Sequence, residues 1–208
     1  MKPNLRKELS PFLHLSNIVF KEDFLQALVG YDKFPNNQFI RRTLFRTGFA
    51  YIEGILYQFK ISTAGLKLAQ HMQKRRSDEW FLEESPYLGF LSDFSYHLKK
   101  NGEIVKRENF MSLELNIVYT LKEACETYFS SFKLDKGNQD WEVFLKAKNI
   151  RNRITHPKTN EDLFIQDIEV VTIKQTVCWF EKTIESLILE IDYKRFLISL
   201  QKKAEGHS

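Results

Sequence analysis

At 208 residues the chain is long enough to bury a substantial core, and 43% hydrophobic with 28% charged residues excludes a disordered or fibrous protein. A net charge of +4 permits nucleic-acid contact without demanding it. The start, MKPNLRKELSPF, lacks the apolar run of a signal peptide, and no stretch is long and apolar enough to cross a bilayer, so no membrane partner is expected.

Taken in chain order, residues 1–15 carry Pro3 and Pro11 and read as an arm or irregular lead. Ser16 to Val29 reads as a helix that offers Ile18, Phe20, Phe24, Leu25 and Leu28 to one face. Gly30 to Asn37 is a connection. Gln38 to Ile61 is a long helix whose only acid is Glu53, and Ser62 and Thr63 are placed to cap a further helix reaching about Arg76. The Phe and Tyr residues of the 38–61 segment read as core or interface rather than as base-stacking platforms. From Ser77 to Phe110 the helical period weakens, and Lys100-Asn101-Gly102-Glu103 between two apolar runs predicts a short β-hairpin near residues 92–108. Helical periodicity returns over about 112–132, 140–155 and 167–201. The expected fold is all-α, one helical domain over 1–208 with a core of about 16–201 and a hairpin insertion.

Cys125 and Cys178 stand far apart in apolar helical patterns, which fits buried thiols in a reducing compartment and a cytoplasmic protein. No Cys, His or carboxylate set has metal-ligand spacing, and no glycine-rich phosphate or dinucleotide loop is present, so neither metal nor cofactor is expected. Lys74-Arg75-Arg76 reads as a solvated helix end more readily than as a phosphate patch.

The run Arg151-Asn152-Arg153-Ile154-Thr155-His156, followed by Pro157, carries the chemistry. Pro157 disfavours helical geometry at His156, so the imidazole ends the helix. An imidazole moves protons near neutral pH, and a guanidinium neutralises charge on phosphate oxygens. At about 100° per residue, Val143, Ala147, Ile150 and Ile154 form a core stripe with Phe144 at its edge. Arg151 falls beside Phe144 and therefore needs a carboxylate. Asn152 and His156 share an arc with Trp141 and Leu145, which suits a two-fold interface, whereas Arg153 projects with Glu142 and Asn149 toward solvent. On the helix over 38–61, Arg42, Arg46, Phe49, Glu53, Tyr57 and Lys60 share a face, and Glu53 is the natural partner of Arg151 or Arg46.

These features resemble the HEPN superfamily, whose ribonucleases carry an Arg-x(4–6)-His motif, often with a polar residue after the arginine. Arg151, Asn152 and His156 match that motif with four intervening residues, and the resemblance extends to YIEGILY around Glu53 and to the long final helix. It implies a HEPN-like helical bundle that forms a homodimer, with two copies of the motif in one cleft. It implies metal-independent endoribonuclease activity: the substrate 2′-hydroxyl attacks its own phosphate and leaves a 2′,3′-cyclic phosphate. In that reading Arg151, His156 and Asn152 are catalytic, Glu53 orients Arg151, and Arg42, Arg46 and Arg153 contact RNA. A toxin or defence role with an antitoxin partner is also implied. The hairpin departs from the minimal family bundle. A second reading stays open, a non-catalytic HEPN-like module that binds RNA, a nucleotide or a protein.

Overall fold

In a computed structural model the backbone is described for residues 5–73, 94–108 and 111–205, and the side chains within 19–70, 97–107 and 111–194. The Lys74-Arg75-Arg76 run lies outside the described residues. The fold is mostly α-helical with one two-stranded antiparallel hairpin. No described helix is long and apolar enough to cross a membrane. In order, the elements are α1 (Leu5–Lys33), α2 (Gln38–Gln73), β1 (Phe94–Leu98), β2 (Ile104–Glu108), α3 (Leu113–Tyr128), α4 (Gln139–Thr155), a single 3-10 turn (Glu161–Leu163) and α5 (Asp167–Glu205). They fall into two compact units, one formed by Met1–Ile55 with Ser130–Ser208 and the other by Leu56–Phe129.

Several boundaries differ from the sequence reading: α1 runs four residues into the connection expected from Gly30, and α3 ends at Tyr128 rather than near Phe132. The irregular lead expected over residues 1–15 is helical from Leu5 onward, so Pro11 lies inside α1. Proline removes one i→i−4 bond there, and the helical residues on both sides carry the helix through it. The break expected at Ser62-Thr63 is absent, and α2 runs unbroken to Gln73. Thr63 is fully buried inside that helix and its hydroxyl has no hydrogen-bond partner among the described residues, so packing of this turn outweighs the capping preference of the side chain.

The other helix ends follow local chemistry. The Asn37 carboxamide oxygen accepts from Phe39 and Ile40 amides to start α2. Ser112 Oγ accepts from the Leu115 amide to start α3, which ends at Phe129 in a left-handed conformation with φ 57°. Asn138 Oδ1 accepts from the Trp141 amide at 2.9 Å, and Asp140 and Glu142 in the first turn of α4 complement its dipole.

In the first unit, α4 and α5 pack through a cluster of Trp141, Phe144, Trp179 and Phe180, with Trp141 5.1 Å from Phe144 and 5.7 Å from Trp179 between ring centres. Leu44, Phe45, Phe49 and Ile52 supply the α2 side of this core, and Ile173, Val177 and Leu187 the α5 side. At Gly54 an added Cβ would come 2.7 Å from the Phe20 ring, so glycine is what lets α1 lie against α2 beside Glu53. Tyr51 donates to Glu181 at 2.9 Å, and the same carboxylate pairs with Lys21 at 2.8 Å. Burial, reinforced by that bond, holds the Tyr51 hydroxyl well above its ordinary pKa.

In the second unit, Leu56, Phe59, Ile117, Leu121 and Ala124 are buried together with a polar seam in which Lys67 pairs with Glu123, the carboxylate almost wholly out of solvent. The hairpin lies where it was expected, pairing Phe94 with Glu108 through Leu98 with Ile104. Its loop differs from a two-residue Asn-Gly turn. The Lys99 amide donates to Glu103, the Gly102 amide donates to Lys99, and only Gly102 takes positive φ, at 82°. That is a three-residue loop with glycine in the left-handed position.

Candidate functional site at the end of α4

The motif occupies the last turn of α4, and the register of that helix decides what each residue does. Trp141, Phe144, Ala147 and Ile154 are the buried positions. The buried stripe is thus centred nearer Phe144 than the sequence reading places it, since Val143 and Ile150 are only partly covered. Arg151, two turns beyond Phe144 and between Ala147 and Ile154, lies along the same stripe and is half-buried. Its aliphatic stem follows the core and its guanidinium emerges beside α2.

There Arg151 Nη2 donates to Glu53 Oε1 at 2.8 Å, so the ion pair predicted from the sequence is present. Arg151 Nη1 also donates to Asn152 Oδ1 at 3.3 Å. The pair is not sealed: the side chains are 31% and 41% exposed. Its contribution to stability is therefore about 1 kcal/mol or less, as for other solvent-screened pairs, rather than the several kcal/mol of a buried one. Burial raises the Glu53 carboxyl above its ordinary pKa, and Arg151 pulls it partly back.

His156 is the C-cap of α4, with φ −126° and ψ 61°, and its amide still donates to Asn152 O at 3.0 Å. Its side chain and that of Asn152 are exposed. The chain then turns through Pro157 into a loop closed by Asp162, whose carboxylate accepts from the Lys158 amide at 2.8 Å and the Thr159 amide at 3.0 Å. Those two amides hold the Asp162 carboxyl below its ordinary pKa.

The remaining arginines divide differently from the expectation. Helical spacing places Arg153 toward solvent, but its Nη2 donates to Glu169 at 3.0 Å and to Phe164 O at 2.9 Å. It ties α4 to the start of α5. The reason is length: a guanidinium starting from the solvent side of a final helical turn can still fold over the turn to a neighbouring carboxylate. Arg42 donates to Leu163 O at 3.1 Å, and Arg46 is exposed. Among the described residues no carboxylate pairs with either. The face shared by Arg42, Arg46, Phe49, Glu53, Tyr57 and Lys60 is not uniform, because Phe49 and Lys60 are buried while Tyr57 is exposed.

The sequence places Trp141 and Leu145 at a two-fold interface, and the structure differs at Trp141. Trp141 is 5% exposed and packs on Phe144 and Trp179 of its own chain, so it is not available to a second copy. Its large ring reaches sideways into the α4–α5 seam from the edge of the buried stripe.

Arg41 was missed. It is buried, donates to Ile165 O at 2.7 Å and pairs with Asp167. The signal was available, since Arg41 continues the buried series of Leu44, Gly48, Ile52 and Ile55 along one stripe of α2. Gln38 completes this junction, donating to Ile165 O at 3.1 Å while accepting from the Ile165 amide at 2.8 Å. Chemically, the arrangement offers a carboxylate-oriented guanidinium, an adjacent carboxamide and an open imidazole at one helix end. Comparison with protein-family models, curated proteins and solved structures finds no match.

Proposed function

We propose that this protein is a metal-independent endoribonuclease of HEPN type. The observation that carries the proposal is the pairing of Arg151 with Glu53, which steers the guanidinium of the Arg-Asn-x-x-x-His motif while leaving it partly open to solvent. A structural ion pair alone would not require the exposed carboxamide and imidazole that accompany it at the same helix end.

In this mechanism the RNA supplies its own nucleophile. The 2′-hydroxyl oxygen attacks the adjacent phosphorus as its proton is taken up by a base, and the bond to the 5′-oxygen of the next nucleotide breaks as that oxygen gains a proton. The products are a 2′,3′-cyclic phosphate and a 5′-hydroxyl. His156 serves proton transfer, because an imidazole exchanges protons near neutral pH. Arg151 holds the phosphate oxygens as charge builds on them, using N–H groups not directed at Glu53 or Asn152. Asn152 positions the substrate. Two transfers require two proton-handling groups, which a homodimer supplies by bringing together two copies of His156. The same resemblance extends the proposal to a toxin or defence effector restrained by an antitoxin.

The test is incubation of purified protein with total RNA in chelator, comparing wild type with His156→Ala and assaying the new ends. Cleavage by the wild type alone, with cyclic phosphate ends, supports the reading. Equal cleavage by both proteins, or none by either across varied RNAs, overturns it.

A further inference from the structure

The loop that leaves His156 returns to α2 as an extended segment whose backbone is unusually well held. Three successive carbonyls each accept from an arginine: Leu163 O from Arg42 at 3.1 Å, Phe164 O from Arg153 at 2.9 Å and Ile165 O from Arg41 at 2.7 Å. Gln38 clamps Ile165 from both sides of its peptide. Ile165 is fully buried beneath this network. Phe164, between the clamped carbonyls, instead presents its ring outward and is 55% exposed. On α2, Phe39 follows the clamping Gln38 and is 64% exposed.

Phe164 is one of several large apolar side chains this chain exposes, and what sets it apart is that three arginine-held carbonyls fix where its ring stands. The charge around these rings suggests the partner. At about 100° per residue, Phe39, Arg42, Arg46 and Glu53 lie within roughly 60° of one another on α2. Arg41 and Arg153 are neutralised by Asp167 and Glu169, whereas no carboxylate among the described residues pairs with Arg42 or Arg46. This face therefore sets exposed Phe39 and Phe164 beside half-buried Arg42 and exposed Arg46, neither paired with a carboxylate among the described residues, and leads along α2 toward Glu53 and Arg151. That combination is what single-stranded nucleic acid requires, with bases stacking on rings and phosphates lying on cations.

We propose that Phe164 and Phe39 are base-stacking residues and Arg42 and Arg46 phosphate contacts of a subsite for single-stranded RNA, flanking the bond cut at Arg151 and His156. This deepens the ribonuclease reading and rests on it for the identity of the ligand. The subsite selects unpaired RNA, since bases within a duplex have no free face for the rings.

The test uses full-length protein carrying His156→Ala, so that RNA stays intact, with fluorescence anisotropy of a labelled single-stranded oligoribonucleotide, its abasic counterpart and the same sequence as a duplex. Phe164→Ala is expected to weaken binding of the single strand by roughly 5–100-fold, the range for loss of one stacked base. Phe164→Tyr should retain binding. Abasic RNA should bind the parent weakly and lose nothing further in Phe164→Ala. Arg42→Ala and Arg46→Ala should each lower the slope of log affinity against log salt by about 0.7. Sedimentation of each variant reports the state of assembly.

Unchanged single-strand binding in both Phe164→Ala and Phe39→Ala would overturn the subsite while RNA binding itself stands. If Phe164→Ala breaks a dimer and binding falls in proportion, the ring belongs to a protein interface and the proposal is overturned. No RNA binding by the parent overturns the subsite together with the ribonuclease reading. The binding pattern set out above, found together with a wild type that does not cleave RNA, would support the subsite and overturn only the cleavage step.

Discussion

Arg151 on the last turn of α4 donates to Glu53 on α2 at 2.8 Å, yet both side chains keep about a third or more of their surface in solvent. The pair is held firmly enough to set a direction and open enough for the guanidinium to meet a ligand. Glu53 bears a cost in this arrangement, since burial raises its pKa more than Arg151 lowers it. A carboxyl with a raised folded-state pKa holds its proton more tightly in the folded protein than in the unfolded chain. Its favourable contribution is present below the unfolded glutamate range and is lost as pH rises through the raised value. Glu53→Gln is therefore expected to change stability at neutral pH by no more than about 1 kcal/mol, and to flatten the fall in stability over that pH interval. Its effect on RNA cleavage should be much larger, because Arg151 loses its orienting charge. Urea titrations across pH, set beside cleavage rates, check both halves. A loss of several kcal/mol with unchanged cleavage would make the pair purely structural.

Cleavage itself should depend on His156 more than on any other exposed side chain. His156→Ala is expected to lower the rate by about 10²–10⁴-fold, the usual contribution of general acid–base transfer. Arg151→Lys should also impair it, since an ammonium does not reproduce bidentate contact with phosphate. EDTA should leave the wild-type rate unchanged, because the 2′-hydroxyl, an imidazole and a guanidinium complete the proposed reaction. Rates on one RNA, with and without chelator, decide this; loss of activity restored by a divalent cation would sink the mechanism.

Arg153 and Arg46 should separate stability from binding. Arg153 ties Glu169 and the Phe164 carbonyl to α4, so Arg153→Ala should lower Tm and loosen the loop. Arg46, exposed and without a carboxylate partner among the described residues, should leave Tm within error when replaced by Ala and weaken RNA binding. Thermal melts and anisotropy on both variants test the contrast. The reverse pattern would return Arg153 to the RNA-contacting set.

Trp141→Ala should act as a core truncation, costing roughly 3–5 kcal/mol, because its ring fills the seam against Phe144 and Trp179. The expected readout is a lower urea midpoint at every protein concentration. Destabilisation that disappears at high protein concentration would instead place Trp141 in an interface between copies.

In the second unit, the Lys67–Glu123 pair provides the contrast to Arg151–Glu53. Glu123 is 1% and Lys67 13% exposed. Glu123→Ala should cost about 3–5 kcal/mol, since it removes one half of an ion pair held out of solvent. The double variant Lys67→Met, Glu123→Leu should recover much of that loss. Denaturant unfolding of the single and double variants measures the coupling, and equal losses in both would mean the polar seam matters chiefly through its packing.

The sequence by itself determined the helical class, the hairpin position, the start of α3, the ends of α4 and the pairing of Arg151 with Glu53. Each of these depends on short-range rules: apolar period, an Asn or Ser cap, a glycine that takes positive φ, or a charge forced onto an apolar stripe beside a helix with a single acid. Tertiary structure decided the rest. Whether α2 stops at Ser62-Thr63 depends on Thr63 being buried, and no local preference encodes that burial. Trp141 turned into its own core, and Arg153 folded back onto Glu169, because long side chains choose among partners that only the packed chain brings within reach. The arginine-held segment from Leu163 to Ile165 was hidden for the same reason. Its backbone acceptors look alike in any sequence, and only the approach of α2 and α4 turns three ordinary carbonyls into a platform for Phe164.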